Sequence, residues 1–190
     1  MLYILDTGNL EDIRHCNAFY PLAGVTTNPS IIAREKTDFW KLVKDIRGII
    51  GAEKMLHVQT VQTAAEKMVE EAQLIKERIG GNLYIKIPIG EEGLKATMEL
   101  KQMGIGVTMT AIFTPAQALI AAKAGAASVN IRSNAAQLTF SSVKDLPDYV
   151  SAYIATGKGV SFSAKDVRVK FTGRDATEEL TKFLVDCGKK

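Results

Sequence analysis

Asn82-Leu83-Tyr84-Ile85-Lys86-Ile87-Pro88 is a short apolar run with high β-propensity, and a proline closes it. A run of this kind is typical of a buried strand. Before it lies a segment with apolar residues at helical spacing, namely Ala65, Met68, Val69, Ala72, Ile75 and Ile79. Gly80-Gly81 follows that segment, as expected at the C-terminal cap of a helix. The stretch therefore predicts a helix followed by a strand, which is part of a parallel βαβ unit.

Similar β-rich runs recur every 21 to 31 residues along the first two thirds of the chain. They cover Leu2–Leu5, Gly24–Thr26, Met55–Gln59, Leu83–Ile87, Gly106–Thr110 and Ala127–Ile131. Segments with helical period lie between them, and this alternation indicates a parallel sheet with crossover helices. We therefore predict an α/β protein with five or six (β/α) units, a partial TIM barrel.

The last third of the chain has a different rhythm. At 190 residues the chain is short for a closed eight-unit barrel, which typically has about 250 residues. Beyond residue 126 the pattern predicts strands at 127–132, 137–142, 160–163 and 166–171, and helices near 147–155 and 175–187. We predict two parts, a partial barrel over residues 1–126 and an α+β segment over residues 127–190 that packs on the sheet or closes it.

Composition narrows the class of protein. The 24 basic and 21 acidic residues give a formal charge of +3, too balanced for a nucleic-acid-binding protein. The chain has no apolar run long enough to span a membrane and no basic leader at its start. Cys16 and Cys187 form neither a disulfide framework nor a zinc site, and the two histidines lack a cluster of metal ligands. We expect a cytoplasmic protein without metal or cofactor.

Polar residues stand where five successive predicted strands end. In a parallel α/β sheet the functional residues collect at the carboxyl ends of the strands. These ends carry Asp6, Thr26-Thr27-Asn28, Gln59, Lys86 and Thr110. Because all five ends face one edge of the sheet, we expect them to form a site.

Lys86 is the most informative of these residues, because it lies in an apolar strand. Burial disfavours the ammonium form and lowers the pKa of a lysine. A neutral amine in an apolar pocket attacks carbonyl carbons and forms Schiff bases. The alternative is a structural lysine that reaches solvent from the strand edge, or that pairs with Asp6 or another carboxylate.

The other strand-end residues have alternatives of their own. Asp6 holds a charge partner or moves a proton, or else it caps the following helix. Asn28 precedes a proline, which is equally typical of turn chemistry. Gln59 and Thr110 are neutral hydrogen-bonding residues that also serve structure. His57 lies two residues before Gln59, on the same side of its strand, and is placed to reach the same pocket.

Several motifs together resemble the small transaldolase and fructose-6-phosphate aldolase family. They are Leu5-Asp6-Thr7, Gly24-Val25-Thr26-Thr27-Asn28-Pro29-Ser30, His57-Val58-Gln59, Ile85-Lys86-Ile87-Pro88, Thr110-Ala111-Ile112-Phe113, Pro115-Ala116-Gln117-Ala118 and Ala121-Ala122-Lys123-Ala124-Gly125-Ala126. The motifs occur in order over about the first two thirds of the chain. The block from Gly24 to Ser30 is the most specific of them.

The resemblance implies a (β/α) barrel that performs class I aldol chemistry without a metal, with Lys86 as the Schiff-base lysine. It implies that Asp6 supports proton transfer and that Asn28, with Thr26 beside it, contacts the substrate. Gln59 is typical of the fructose-6-phosphate aldolase branch, whereas transaldolases usually carry glutamate there. With Thr110 it would hold the catalytic water. The implied partner is a sugar or a sugar phosphate.

After Ala126 the sequence departs from the family pattern. The stretch Ser128-Val129-Asn130-Ile131-Arg132 lacks the tyrosine that completes the family's proton relay, and Arg132 does not fit the family's phosphate-binding position.

On the motifs of the first two thirds of the chain, the predicted function is a class I aldolase. The alternative is an impaired or inactive chimera, a barrel fragment with a structural role only. A phosphate- or sugar-binding module is a third reading, and Gly157-Lys158-Gly159 is too short a signal to favour it.

An incomplete barrel also predicts self-association. A sheet of five parallel strands leaves its last strand with unpaired backbone groups. The following segment or a second subunit must cover that edge, so we expect a homo-oligomer.

Overall fold

The computed structural model describes residues 3–132, 136–140 and 167–171. The strands are β1 (Tyr3–Asp6), β2 (Leu22–Thr26), β3 (Met55–Gln59), β4 (Leu83–Pro88), β5 (Gly106–Ile112), β6 (Ser128–Arg132), β7 (Ala136–Phe140) and β8 (Val167–Phe171). The helices are α1 (Leu10–Phe19), α2 (Pro29–Arg34), α3 (Phe39–Ile50), α4 (Ala65–Ile79), α5 (Glu91–Gln102) and α6 (Pro115–Ala124). Helices thus separate the first six strands, as the alternating pattern predicts.

All eight strands form one sheet in chain order. The first six pair in parallel, and β7 and β8 continue the sheet antiparallel. The sheet curls, since Cα atoms of β8 lie within 8 Å of those of β1. The prediction of a partial TIM barrel with (β/α) units is confirmed.

The strands predicted at 137–142 and 166–171 correspond to β7 and β8. The strand predicted at 160–163 and the helices predicted near 147–155 and 175–187 lie outside the described residues. The division into residues 1–126 and 127–190 stays a prediction. The parallel order itself runs one strand past residue 126, because β6 pairs in parallel with β5.

Alternate residues of each strand face opposite sides of the sheet. The outer side is aliphatic and packs with the helices into one hydrophobic core; its strand residues are Val25, Leu56, Val58, Ile85, Ile87, Val107, Met109 and Val129. The opposite set, which strand pairing places together on the inner side, is largely polar: Asp6, Thr26, His57, Gln59, Tyr84, Lys86, Thr108, Thr110, Ser128 and Asn130. The sheet therefore separates an apolar core from a polar inner face.

One glycine allows the inner face to close tightly between β2 and β3. A Cβ atom on Gly24 would lie 2.3 Å from the backbone oxygen of Met55. Only glycine fits this close approach of two strands. Gly24 thereby sets the position of Thr26, two residues further along the same strand.

Among the helices of the described residues, none combines the length and apolar character that a bilayer span requires.

Candidate active site

Lys86 is a buried lysine, with only 5% of its surface exposed. Its Nζ donates a hydrogen bond to the backbone oxygen of Thr27 at 2.7 Å and to Oγ1 of Thr26 at 3.3 Å. The side chain starts on β4 and therefore reaches across β3 to the carboxyl end of β2. Because it bonds inside the sheet, Lys86 is not a lysine that reaches solvent from the strand edge.

The acceptor of Lys86 is itself held in place. The side chain of Thr27 is fully buried. Its backbone N–H and its hydroxyl both donate to the backbone oxygen of His57, at 3.0 and 3.1 Å. The backbone oxygen of Lys86 in turn accepts from the N–H of Thr60 at 3.1 Å. Backbone hydrogen bonds between neighbouring strand ends thus hold both the main chain of Lys86 and the Thr27 oxygen that its amine contacts.

Strand pairing brings the other strand-end residues to the same face. Asp6 pairs with Thr26, Gln59 pairs with Lys86, and Thr110 pairs with Pro88. The five predicted residues Asp6, Thr26, Gln59, Lys86 and Thr110 therefore share the inner face, toward the carboxyl ends of the strands. Their roles in chemistry stay predictions.

The structure excludes one of the alternatives for Asp6, the capping of α1. Helix α1 begins at an N-cap formed by Asn9, whose side chain accepts from the N–H groups of Glu11 and Asp12. The capping role considered for Asp6 therefore belongs to Asn9. Asp6 instead ends β1 on the inner face beside Thr26.

Asn28 has the turn role that its sequence context suggests. Its Oδ1 accepts from the N–H of Ile31 at 3.0 Å, which makes it the N-cap of α2, with Pro29 at the first helical position. The capping bond uses one oxygen, and a side-chain amide also carries two N–H protons. Asn28 thus combines a cap with a donor group directly after the strand that supplies Thr26, and the predicted contact with substrate is compatible with the cap.

The end of β5 is irregular next to Thr110. The pairing of β5 with β6 shifts between Met109 and Ile112. Ala111 lies in this irregularity with φ of +58°, a conformation that non-glycine residues rarely adopt. A bulge of this kind redirects the side chains around it and is frequent beside functional sites. The strand predicted to end at Thr110 accordingly runs on to Ile112.

A chain of buried hydrogen bonds lies on the inner face beside Lys86. Nδ1 of His57 lies 3.0 Å from Oγ1 of Thr108, which lies 2.6 Å from Oγ of Ser128. All three side chains are at most 2% exposed. Thr108 and Ser128 are absent from the predicted site. Thr108 could have been found from the sequence, because it lies two residues before Thr110 and therefore on the same side of β5. Ser128 is revealed only by the pairing of β5 with β6.

Within the described part of the chain, no three histidine, cysteine, aspartate or glutamate side chains come together in a way that would hold a metal ion.

A parallel (β/α) sheet that carries its polar residues at the carboxyl ends of the strands defines the class of barrel proteins with strand-end sites. The model of the transaldolase/fructose-6-phosphate aldolase family matches residues 3–155. The chain belongs to this family, and the resemblance inferred from its motifs is confirmed.

Individual relatives give the same picture. The chain is 40% identical over 127 residues to a "Probable fructose-6-phosphate aldolase" of Streptococcus pneumoniae, covering 66% of this chain and 57% of that protein. It is 44% identical over 131 residues to a "Probable transaldolase" of Clostridium tetani, covering 68% and 59%. A "Probable transaldolase" of Desulforamulus reducens is 45% identical over 130 residues, again covering 68% and 59%. The chain thus spans less than two thirds of the length of these curated relatives.

Proposed function

We propose that this protein is a class I aldolase in which Lys86 forms a Schiff base with a ketone. The observation that carries the proposal is the buried Lys86 amine, held 2.7 Å from the backbone oxygen of Thr27 at the carboxyl end of the sheet. Burial disfavours the charged ammonium, and the neutral amine is the nucleophile. The family and the relatives' names support the same chemistry.

In the proposed reaction, the lone pair of the Lys86 amine attacks the carbonyl carbon of the ketone. Loss of water from the resulting carbinolamine gives an iminium ion. To break the aldol bond, the hydroxyl on the carbon β to the iminium carbon loses its proton, and that carbon leaves as the carbonyl carbon of an aldehyde. The electron pair of the broken bond moves into the iminium to form an enamine. Protonation of the enamine carbon and addition of water then release the ketone and regenerate the amine.

We assign the proton transfers to Asp6, Gln59 and Thr110. Gln59 pairs with Lys86 in the sheet, and on the neighbouring strand Thr110 stands two residues beyond Thr108, the partner of Lys86, toward the carboxyl edge. Their neutral polar groups are suited to hold a water molecule beside the imine. Asp6, on β1 next to Thr26, is the ionisable group of the set and is suited to move the proton.

The proposed substrate is a sugar phosphate or a dihydroxyacetone adduct. Asn28 and Thr26 are the proposed substrate contacts, because both stand at the end of β2 where the Lys86 amine arrives. The relative named as a fructose-6-phosphate aldolase favours that substrate class. Glutamine rather than glutamate at position 59 supports the aldolase branch over the transaldolase branch.

Trapping with borohydride tests the proposal. The protein is incubated with dihydroxyacetone, and separately with fructose 6-phosphate, reduced with borohydride and digested for peptide mass spectrometry. We expect a reduced adduct on Lys86 and none in Lys86→Met. Lys54→Met is the matched control, because Lys54 is also partly buried and bonds to Asn17, and its removal leaves the adduct intact. A folded sample without an adduct on Lys86 contradicts the proposed function.

Self-association stays a prediction. A mass in solution that does not change with concentration and equals one chain would contradict it.

A further inference from the structure

We propose that His57, Thr108 and Ser128 form a hydrogen-bonded strap that positions Lys86 for imine formation. The inference rests on the proposed function, because it concerns the same lysine. It assigns a role to three buried polar side chains that the proposed reaction does not use.

The strap crosses the inner face of β4. His57 lies on β3 and pairs with Tyr84, whereas Thr108 lies on β5 and pairs with Lys86. Because β4 runs between these two strands, the bond from Nδ1 of His57 to Oγ1 of Thr108 passes diagonally over β4 between Tyr84 and Lys86. Ser128 extends the chain of bonds to β6. Side chains of three strands, β3, β5 and β6, are thereby linked across the inner face of β4.

The space under the strap is filled by Tyr84. Its ring stacks on the His57 imidazole, with ring centres 4.9 Å apart and planes inclined by 12°. Gly106 faces Tyr84, and a Cβ atom there would lie 3.0 Å from the tyrosine ring. Glycine therefore leaves the ring room to lie flat against His57. The rings of Tyr84 and His57 occupy the space on one side of Lys86. Its side chain extends to the other side, toward the carboxyl edge, where it bonds to Thr26 and Thr27.

Thr108 is the central member, because its single hydroxyl serves both neighbours. A hydroxyl has one proton to donate and two lone pairs that accept, so Thr108 can bond to both neighbours. If it donates to Nδ1 of His57, the imidazole carries no proton on Nδ1. If Nδ1 carries a proton, the imidazole donates to Thr108. With either direction of the bond, the strap holds the imidazole in one orientation.

Removing the Thr108 hydroxyl breaks both bonds at once. Nδ1 of His57 and Oγ of Ser128 then lose a partner in a buried site, which is costly. The imidazole loses the bond that links it to β5, and the packing beside Lys86 loosens. Displacement of a reactive group by 1 Å lowers the reaction rate by about 10²-fold. A loosened lysine is displaced by less than this, so its rate falls by less. We expect Thr108→Val to slow the trapping of the imine by about tenfold.

The experiment compares three variants of the full chain by rate of cyanoborohydride trapping with saturating dihydroxyacetone. Thr108→Val is expected to be slow, and Thr108→Ser, which keeps the hydroxyl, to recover at least half of the wild-type rate. Thr97→Val is the matched control. Thr97 is a fully buried threonine whose hydroxyl donates to the backbone oxygen of Gly93 at 2.7 Å, on α5 and away from the inner face. We expect it to trap at the wild-type rate.

A second readout reports the strap directly. The ¹⁵N shift of Nδ1 of His57 is expected to be the same in the wild type and in Thr97→Val. In Thr108→Val it is expected to move, because the hydroxyl that lies 3.0 Å from Nδ1 is removed. If Thr108→Val does not fold, Ser128→Ala takes its place, because it removes only the outer bond and is expected to slow trapping about fivefold, as loss of one net hydrogen bond would.

The outcomes separate the two proposals. A folded Thr108→Val that traps the imine at the wild-type rate overturns the strap and leaves the aldolase proposal standing. A Thr97→Val protein that is slowed as much as Thr108→Val also overturns the strap, because the loss of any buried hydroxyl would then slow imine trapping. A wild-type protein that forms no adduct at Lys86 overturns the proposed function, and with it the strap, whatever the ¹⁵N shifts show.

Discussion

On the outer face of the sheet, Val58, Ile85 and Val107 pair side by side and pack with the helices. One residue further along each strand, on the inner face, Gln59, Lys86 and Thr108 pair in the same way. The outer row is stabilised by the removal of apolar surface from water. In the inner row, Lys86 and Thr108 are buried, and hydrogen bonds satisfy their polar groups. Neighbouring residues of one strand thus have different roles: those on the outer face stabilise the fold, and those on the inner face serve the proposed chemistry.

The largest expected effect on stability comes from the outer face. Ile85 is fully buried, so Ile85→Ala leaves a cavity and is expected to lower the free energy of unfolding by about 2–5 kcal/mol. Denaturant unfolding measures this loss. At low denaturant the folded fraction is expected to trap an imine on Lys86 at the wild-type rate. A slowed rate in that fraction would show that the two faces are not separable.

A smaller loss is expected at the opposite end of the sheet from the site. The Nη1 atom of Arg47 donates to the backbone oxygens of Gly51 and Lys54, and Nη2 donates to that of Asn82. Burial lowers the pKa of this guanidinium. Arg47→Lys cannot reach three acceptors, and we expect it to cost about 1–3 kcal/mol, measured by denaturant unfolding.

Arg14→Lys is the control for this substitution, because Arg14 is exposed on α1. We expect it to leave the unfolding curve unchanged. Imine trapping is expected to be normal in both variants. An Arg47→Lys protein as stable as Arg14→Lys would show that the three carbonyl bonds contribute nothing net.

On the inner face, Thr26→Val tests the longer of the two bonds of Lys86. The Thr26 hydroxyl accepts at 3.3 Å, whereas the backbone oxygen of Thr27 accepts at 2.7 Å and survives the substitution. A net hydrogen bond is worth about 1 kcal/mol, so we expect imine trapping to slow by about fivefold. Thr26→Ser keeps the hydroxyl and is expected to trap normally. Loss of all trapping in Thr26→Val would mean that the hydroxyl, not the backbone oxygen, is the main anchor.

The smallest effect is expected outside both faces. Glu66 and Lys95 form an exposed ion pair between α4 and α5, and Lys95 lowers the pKa of Glu66 from its ordinary 4.5. A carboxyl with a lowered pKa in the folded state stabilises the protein above its unfolded-state pKa and loses that effect as the pH falls through the folded-state value. Exposed pairs contribute little. Glu66→Gln is therefore expected to leave thermal unfolding at pH 7 unchanged.

Any difference between Glu66→Gln and the wild type is expected to shrink as the pH falls below 4.5. A melting temperature that falls clearly at pH 7 would contradict the view that this pair is screened by solvent.

The strands and the lysine were predictable from the sequence because they depend on local pattern. Apolar runs such as Leu83–Ile87 mark a strand, and a lone lysine in such a run stands out. Helix α2, with six residues, is too short to show a period. The bulge at Ala111 also has no local signal, because it depends on how β5 meets β6.

The members of the site that escaped prediction depend on contacts between distant strands. The bond from Thr108 to Ser128 joins β5 and β6 and exists only once their pairing is set. Likewise, the choice between Asp6 and Asn9 as the cap of α1 turns on where the first strand ends, which pattern alone leaves uncertain by a residue or two.

The shorter of the two described hydrogen bonds of the Lys86 amine ends on a main-chain oxygen, that of Thr27. No change of side chain at position 27 deletes that atom, since every amino acid carries it. Substitutions at the end of β2 can therefore change the surroundings of the amine without removing this acceptor. For the proposed aldolase, the acceptor that holds the amine is thus insensitive to sequence divergence at that position.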